Sequence, residues 1–131
     1  MIMNTDLETN CLFCEIPQSR IIAENELAFA IRDGFPVTKY HTLIIPKRHV
    51  RTYFNLTSEE NLACHELLKL QRSQLMKLDP LITGFNIGMN SGHSAGQTVF
   101  HCHIHLIPRR DGDVENPSGG VRHIIPNKGY Y

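Results

Sequence analysis

The chain has 131 residues, and its 13 Lys and Arg residues balance its 13 Asp and Glu residues. This length fits one domain over residues 1–131, and 41% hydrophobic with 20% charged residues is typical of a globular fold, not a disordered one. The formal net charge of +0 argues against a nucleic-acid partner, because such proteins depend on clustered Lys and Arg.

The start of the chain, MIMNTDLETN, predicts neither a signal peptide nor a membrane anchor. It lacks a basic region followed by an apolar one, and no run in the sequence approaches the roughly 20 apolar residues of a membrane span. We therefore expect a cytoplasmic protein without a membrane partner, flexible over residues 1–10. Its four cysteines are then more typical of metal ligands or buried thiols than of disulfides, and we expect Cys64 and Cys102 to be buried thiols.

The first half of the chain predicts three strands. Two short apolar runs, Ile21–Ala23 and Leu27–Ile31, predict a hairpin. A turn follows at residues 33–36, which contain glycine and proline. Thr42–Ile45 then predicts a buried strand that Pro46 ends.

One long helix follows. Thr57 predicts its N-cap, because Glu60 three residues later completes a capping box. Leucines recur at helical intervals at positions Leu62, Leu67, Leu68, Leu70, Leu75 and Leu78. Asp79 and Pro80 end a run of roughly 20 residues.

The second half predicts two more strands, at residues 84–89 and 101–107, joined by a loop rich in glycine and serine. Residues 109–131 predict a loop-rich tail with a short strand at Val121–Ile125. Strands in hairpins with one long helix favour the α+β class, an antiparallel sheet with the helix packed on it.

Three histidines alternate along the last predicted strand, at His101, His103 and His105. Side chains two apart on a strand share a face, with Cα atoms about 6.6 Å apart. An exposed strand face that happens to carry histidines is the simplest interpretation. Three alternating histidines nevertheless offer nothing to packing, since each buried ring needs a hydrogen-bond partner. The row therefore indicates a functional site.

The row is compatible with two chemistries. Neighbouring imidazoles can bind one Zn²⁺, or the middle histidine can act as a nucleophile that its neighbours orient. The preceding loop, residues 90–98, supplies amides, hydroxyls and small residues but no carboxylate. Such a loop suits a phosphate better than a hard cation, which favours the nucleophile.

At these residues the sequence resembles the histidine triad (HIT) family of nucleotide hydrolases and transferases. The motif that carries the resemblance is the histidine row, directly preceded by Ala-Gly-Gln-Thr-Val-Phe at residues 95–100. Residues 11–16 and 37–49 also resemble segments of the family. The tail at residues 119–126 resembles bacterial members near the fragile-histidine-triad and dinucleoside-polyphosphate hydrolase branch. The resemblance implies a five-stranded sheet and a homodimer with a continuous ten-stranded sheet.

The resemblance also implies a mechanism. In the family the central histidine, His103 here, attacks the α-phosphate of a nucleotide, and water hydrolyses the nucleotidyl-histidine to release a nucleoside monophosphate. His105 would donate to a phosphate oxygen. The other matched residues are His101, the first histidine of the triad; His41, which supports the triad from the next strand; Gln97 and Thr98, which contact the phosphate or the leaving oxygen; Asn90, which holds the phosphate; Asp33, which binds ribose; and Phe13, Ile16 and Phe29 or Ile31, which wall the base pocket.

Several of these residues have simpler interpretations. Asp33 and Asn90 also fit as turn residues, and Phe13 and Ile16 fit as ordinary core. The function has alternatives too: a nucleotide-binding interaction protein with little turnover, or a zinc-dependent hydrolase that uses the histidine row. The preferred substrates are a dinucleoside polyphosphate, a nucleoside phosphoramidate or a similar purine nucleotide.

Cys11 and Cys14 have the spacing of a zinc-binding pair, although a redox dithiol fits it as well. No second such pair follows in the chain. The resemblance implies the remaining ligands, because some bacterial members bind structural zinc through two such cysteines and two histidines. Here those histidines are His49 and His101.

Overall fold

The computed structural model describes residues 10–131, so the flexible start predicted for residues 1–10 lies almost wholly outside the described residues. The main elements in chain order are β1 (Ile21–Glu24), β2 (Ala28–Arg32), β3 (Thr42–Pro46), α1 (Ser58–Leu78), β4 (Ile82–Gly88) and β5 (Ile104–Arg110). The strands form one sheet in the order β1-β2-β3-β5-β4, and every pairing is antiparallel. The predicted α+β class and five-stranded sheet are confirmed.

The two faces of the sheet pack against different partners, as the alternating side chains of β2 show. Ala28 and Ala30 pack with Leu67 of α1, in a core that faces the helix. Phe29 and Ile31, one position off, join a separate apolar cluster on the opposite face. Because side chains alternate along a strand, the helix covers one face and leaves the other for a site.

The helix begins as predicted. The Thr57 hydroxyl accepts the Glu60 N–H at 3.1 Å, and the Glu60 carboxylate accepts the Thr57 N–H at 2.9 Å. Glu60 is buried and also accepts two hydrogen bonds from Arg48, which hold the pKa of its carboxyl below the usual range. Only some of the leucines spaced along the helix are buried, since Leu62, Leu70 and Leu78 are exposed.

Small and polar residues complete the buried face of α1. Ala63 and Cys64 pack there, and Gln71 accepts a hydrogen bond from Arg32 at the end of β2. Cys64 and Cys102 are both buried free thiols, as predicted. Burial raises the pKa of Cys64 to about 12 and that of Cys102 to about 11, so neither is a thiolate at neutral pH.

Several predicted strand boundaries were wrong: β4 is Ile82–Gly88 and not residues 84–89, and β5 continues to Arg110, past the predicted end at residue 107. The last strand begins at Ile104, not at His101, because β3 stops pairing at Ile44 and the Cys102 N–H donates to the Val50 carbonyl instead. The third strand includes Pro46, which pairs with Ala28. Proline is tolerated there because this position in the pairing needs no main-chain N–H donor.

The strand predicted at Val121–Ile125 was also wrong. The segment Gly120–Ile124 forms a 3-10 helix. Gly119 and Gly120 have φ values of 90° and 46°, which a strand does not accommodate, and the Arg122 N–H bonds back to Gly119.

Strands β1 and β4 are the two edges of the sheet, and the ten-stranded sheet of the predicted dimer would require one of these edges to pair with a second copy. That pairing stays a prediction. Over residues 10–131, no helix is both long and apolar enough to cross a membrane.

Candidate active site

His103 lies where the chain enters β5, on the face of the sheet opposite the helix. Its Nδ1 is 2.8 Å from the main-chain carbonyl oxygen of His101. A carbonyl only accepts, so we assign the proton to Nδ1, which leaves the Nε2 lone pair free. Burial lowers the pKa of His103, and this effect outweighs the hydrogen bond to the His101 carbonyl and the charge of Asp33, which both raise the pKa. The imidazole is therefore neutral with one free nitrogen, as a nucleophile requires.

His105 is held in the complementary tautomer by a short chain of hydrogen bonds. The Val37 N–H donates to His41 Nδ1 at 3.1 Å, which leaves the proton of a neutral His41 on Nε2. That nitrogen is 2.9 Å from His105 Nδ1, so His41 donates and His105 accepts. The free Nε2–H of His105 is then a donor. Burial lowers the pKa of His105 to about 4 and also lowers that of His41.

Asp33 stands at the same end of the row and has two contacts. Its Oδ1 accepts the Phe35 N–H at 2.8 Å, as the turn interpretation predicts. Its Oδ2 lies 3.4 Å from His41 Nε2. Each carboxylate oxygen has a second lone pair, so both contacts leave Asp33 able to accept a hydrogen bond from ribose hydroxyls.

The other end of the row meets the two cysteines of the N-terminal segment. His101 Nδ1 lies 3.5 Å from the sulfur of Cys11 and 3.4 Å from that of Cys14. Cys14 is also 3.2 Å from His49 Nδ1, and the four ligand atoms lie within 4.8 Å of one another. A tetrahedral zinc with ordinary bond lengths separates sulfur and nitrogen ligands by about 3.5 Å.

The tautomer of His101 also fits a metal ligand. Its Nε2 is 2.8 Å from the carbonyl oxygen of Pro46, so the proton belongs on Nε2 and the Nδ1 lone pair faces the thiols. Burial lowers the pKa of His101 to about 4, which keeps the ring neutral. Two sulfurs and two imidazole nitrogens form a donor set that suits Zn²⁺.

Gln97 has a different role from the one predicted. Its side chain is 1% exposed. Its Nε2 donates to the carbonyl oxygens of Arg51 at 2.7 Å and Val99 at 3.1 Å, and its Oε1 accepts the Gly92 N–H at 2.8 Å. Both donors and one acceptor site are therefore used inside the loop, and this side chain stabilises the loop instead of facing a phosphate.

Thr98 and Asn90 remain exposed, as phosphate contacts require. Asn90 follows β4 by two residues, and the last residue of β4, Gly88, pairs with His105. This register brings Asn90 to the end of the sheet where the histidine row begins. Their contact with a phosphate stays a prediction.

The residues predicted to wall a base pocket belong to one apolar cluster. Phe13, Phe29 and Ile31 are its buried members, and Ile16 packs against them. The ring of Phe13 stands edge-on to His103, with 4.9 Å between ring centroids. Ile31 is fully buried, whereas Ile16 is half-exposed, so Ile16 is the more accessible of the two to a base.

The structure divides the histidine row between two groups of ligand atoms. Among residues 10–131, the groups that could hold an ion are Cys11, Cys14, His49 and His101, and separately Asp33, His41 and His105. His103 belongs to neither. The second group is a poor metal site, because the Val37 N–H occupies His41 Nδ1 and Nε2 must then keep its proton. The row is not one shared metal centre.

The sequence does not identify which main-chain groups set the tautomers of His41, His101 and His103. The carbonyls of Pro46 and His101 and the amide of Val37 carry no side-chain signature. Pro46 ends the strand beside the row, which is the only signal that its carbonyl is available there.

Comparison with known proteins finds matches both in sequence and in structure. A sequence model described as "HIT domain" matches residues 15–112. An adenylylsulfatase of Arabidopsis thaliana is 32% identical over 128 residues, which cover 92% of this chain and 63% of that protein.

Two solved structures share the fold. A HIT family protein from Bacillus anthracis superposes with a TM-score of 0.72 at 39% identity, covering 78% of this chain and 74% of that one. A diadenosine triphosphate hydrolase of Plasmodium falciparum has a TM-score of 0.71 at 27% identity, covering 77% and 68%.

Proposed function

The chain belongs to the HIT family, and from that premise we propose that it is a nucleotide hydrolase or nucleotidyl transferase with His103 as its nucleophile. The observation that carries the proposal is the hydrogen bond from His103 Nδ1 to the His101 carbonyl, which leaves Nε2 unprotonated. Beside it, the donor chain from Val37 through His41 leaves His105 with a free N–H. One ring offers a lone pair, and its neighbour offers a proton.

The reaction has two steps. His103 Nε2 forms a bond to the α-phosphorus while the bond from phosphorus to the leaving group breaks and its electron pair departs with that group. The His105 Nε2–H donates to a non-bridging oxygen, where charge develops in the transition state. Water then attacks the phosphorus, the bond to His103 breaks, and a nucleoside monophosphate leaves with the neutral imidazole restored, while one proton of the water passes to the leaving group or to solvent.

The relatives support an adenylyl group as the part that is transferred. One is an adenylylsulfatase and another is a diadenosine triphosphate hydrolase. An adenylyl group joined through its phosphorus to a different leaving group is common to both names. We therefore propose adenosine 5′-phosphates with a leaving group on the α-phosphate as substrates.

A substrate panel tests this function. Wild-type protein is incubated with diadenosine triphosphate, adenosine 5′-phosphosulfate and adenosine 5′-phosphoramidate, and AMP release is measured. His103→Asn should lose at least 1000-fold in kcat, roughly the loss on removing a nucleophile. His65→Asn, an exposed histidine on α1, is the matched control and should retain activity. Nucleotide binding without AMP release in the wild type would favour the interaction protein.

We also propose that Cys11, Cys14, His49 and His101 hold a structural zinc. The donor set and the Nδ1 lone pair of His101 support it. A zinc there would tie the N-terminal segment to the residue whose carbonyl holds His103, and it would supply no catalytic chemistry, since a site with four protein ligands leaves no open position. Protein purified without chelator should contain about one zinc per chain. A zinc content near zero would refute the proposal.

A further inference from the structure

A groove of about 480 Å³ runs between the N-terminal segment and the residues just before the histidine row. Asn10, Leu12, His49, Thr98 and Phe100 line it. Of this set, only Thr98 is a predicted phosphate contact, and His49 belongs to the proposed zinc site. The groove therefore provides more binding surface than a transferred phosphate needs.

The groove lies at a defined end of the histidine row. His105, with Asp33 and His41, marks one end, and His101, with Cys11 and His49, marks the other. Cys11 and His49 also line the groove, so it adjoins the His101 end. With the ribose at Asp33, a leaving group that extends from a phosphate at His103 toward the His101 end would reach the groove.

A cation stands beside this groove. The guanidinium carbon of Arg51 lies 4.3 Å from the centroid of the Phe100 ring. The backbone of Arg51 is fixed, because its carbonyl accepts from Gln97 and the preceding carbonyl, of Val50, accepts the Cys102 N–H at 2.7 Å. A guanidinium stacked on an aromatic ring keeps its edge N–H groups available to an anion.

The charge of Arg51 also lacks a carboxylate partner in the described part of the chain. Three other arginines have one: Arg48 pairs with Glu60, Arg109 with Asp113 and Arg110 with Asp79. No ion pair to Arg51 is found over residues 10–131. Arg51 is exposed, so a bound anion can reach it.

We propose that the groove and Arg51 bind the phosphate chain of a nucleotide leaving group, so that the protein selects dinucleoside polyphosphates over phosphoramidates. This inference rests on the proposed function. A phosphoramidate has ammonia or an amine as its leaving group, which offers nothing for a guanidinium to bind. A phosphate chain offers several oxygens to the edge of the guanidinium.

Kinetics of Arg51→Gln test the inference with two substrates. For diadenosine triphosphate, KM should rise roughly tenfold, a typical loss for one charge-assisted contact to phosphate. For adenosine 5′-phosphoramidate, KM and kcat should stay within about twofold, because the lost contact is absent from that reaction. Arg51→Lys should recover part of the loss, and Lys77→Gln, which removes one positive charge at the end of α1, is the control for net charge.

Salt dependence provides a second readout. KM of the wild type for diadenosine triphosphate should rise with NaCl more steeply than that of Arg51→Gln, because salt screens an exposed ionic contact. Equal effects of Arg51→Gln on the two substrates, or no effect on either, would overturn the inference and leave the proposed function intact. Failure of the wild type to release AMP from any substrate would instead refute the proposed function.

Discussion

Replacing Gln97 by methionine separates a structural role from a phosphate contact. Methionine has nearly the volume of glutamine and keeps its unbranched shape, so the packing is retained while the amide is lost. The replacement removes three hydrogen bonds, to Arg51, Val99 and Gly92, at a position that is 1% exposed.

The expected cost follows from these contacts. Each buried hydrogen bond contributes about 1 kcal/mol net, so Gln97→Met should lower the free energy of unfolding by about 3 kcal/mol. For a chain of this size that is a fall in Tm of about 10 °C. Water that enters the loop and bonds to the freed groups would reduce the loss toward about 2 kcal/mol.

Calorimetry compares the free energies of unfolding of Gln97→Met and of a variant at the neighbouring residue, Thr98→Val. Thr98→Val removes a hydroxyl from the adjacent, exposed residue, and its free energy of unfolding should stay within about 0.5 kcal/mol of wild type. Activity is measured well below both melting temperatures. A Gln97→Met protein with wild-type Tm and abolished turnover would refute the structural role and restore the phosphate contact.

Two further predictions concern the histidines and the cysteines. The folded pKa of His105, about 4, lies below its ordinary 6.5, so the unfolded chain binds more protons between these values and stability falls as pH falls through that window. His105 should contribute about 2 kcal/mol to the loss of stability between pH 7 and pH 5, measured in urea titrations as the difference between the wild type and His105→Asn; an unchanged slope in the variant would contradict it. If the proposed zinc is bound, Cys14→Ser should contain none and melt at a lower temperature, whereas Cys64→Ala should keep the metal. A chelator should lower the Tm of wild type but not of Cys14→Ser, and equal responses would count against the zinc site.

The sequence predicted the elements whose signals are local. The capping box at Thr57 and Glu60 places the helix start correctly, because both partners lie within one turn. The hairpin and the buried third strand follow from short apolar runs. The leucine repeat was less informative: Leu62 is exposed while Gln71 is buried against Arg32, a contact with a distant strand that no helical period encodes.

The site was predicted by residue type and less well by role. The alternating histidines indicated a functional site and the loop before them favoured a nucleophile, and the structure places a main-chain carbonyl beside His103 Nδ1. The family resemblance assigned Gln97 to the phosphate or the leaving oxygen, but its side-chain amide donates to the carbonyl oxygens of Arg51 and Val99. Such partners depend on tertiary structure and have no signature in the spacing.

The intermediate itself offers the most direct test. Wild-type protein is mixed with excess diadenosine triphosphate, quenched within the first turnover in alkaline denaturant, which preserves a phosphorus–nitrogen bond, and weighed intact by mass spectrometry. We predict a species heavier by one adenylyl group, mapped by fragmentation to His103 and absent from His103→Asn. Turnover at full rate with no such species, or an adduct on another residue, would contradict the account.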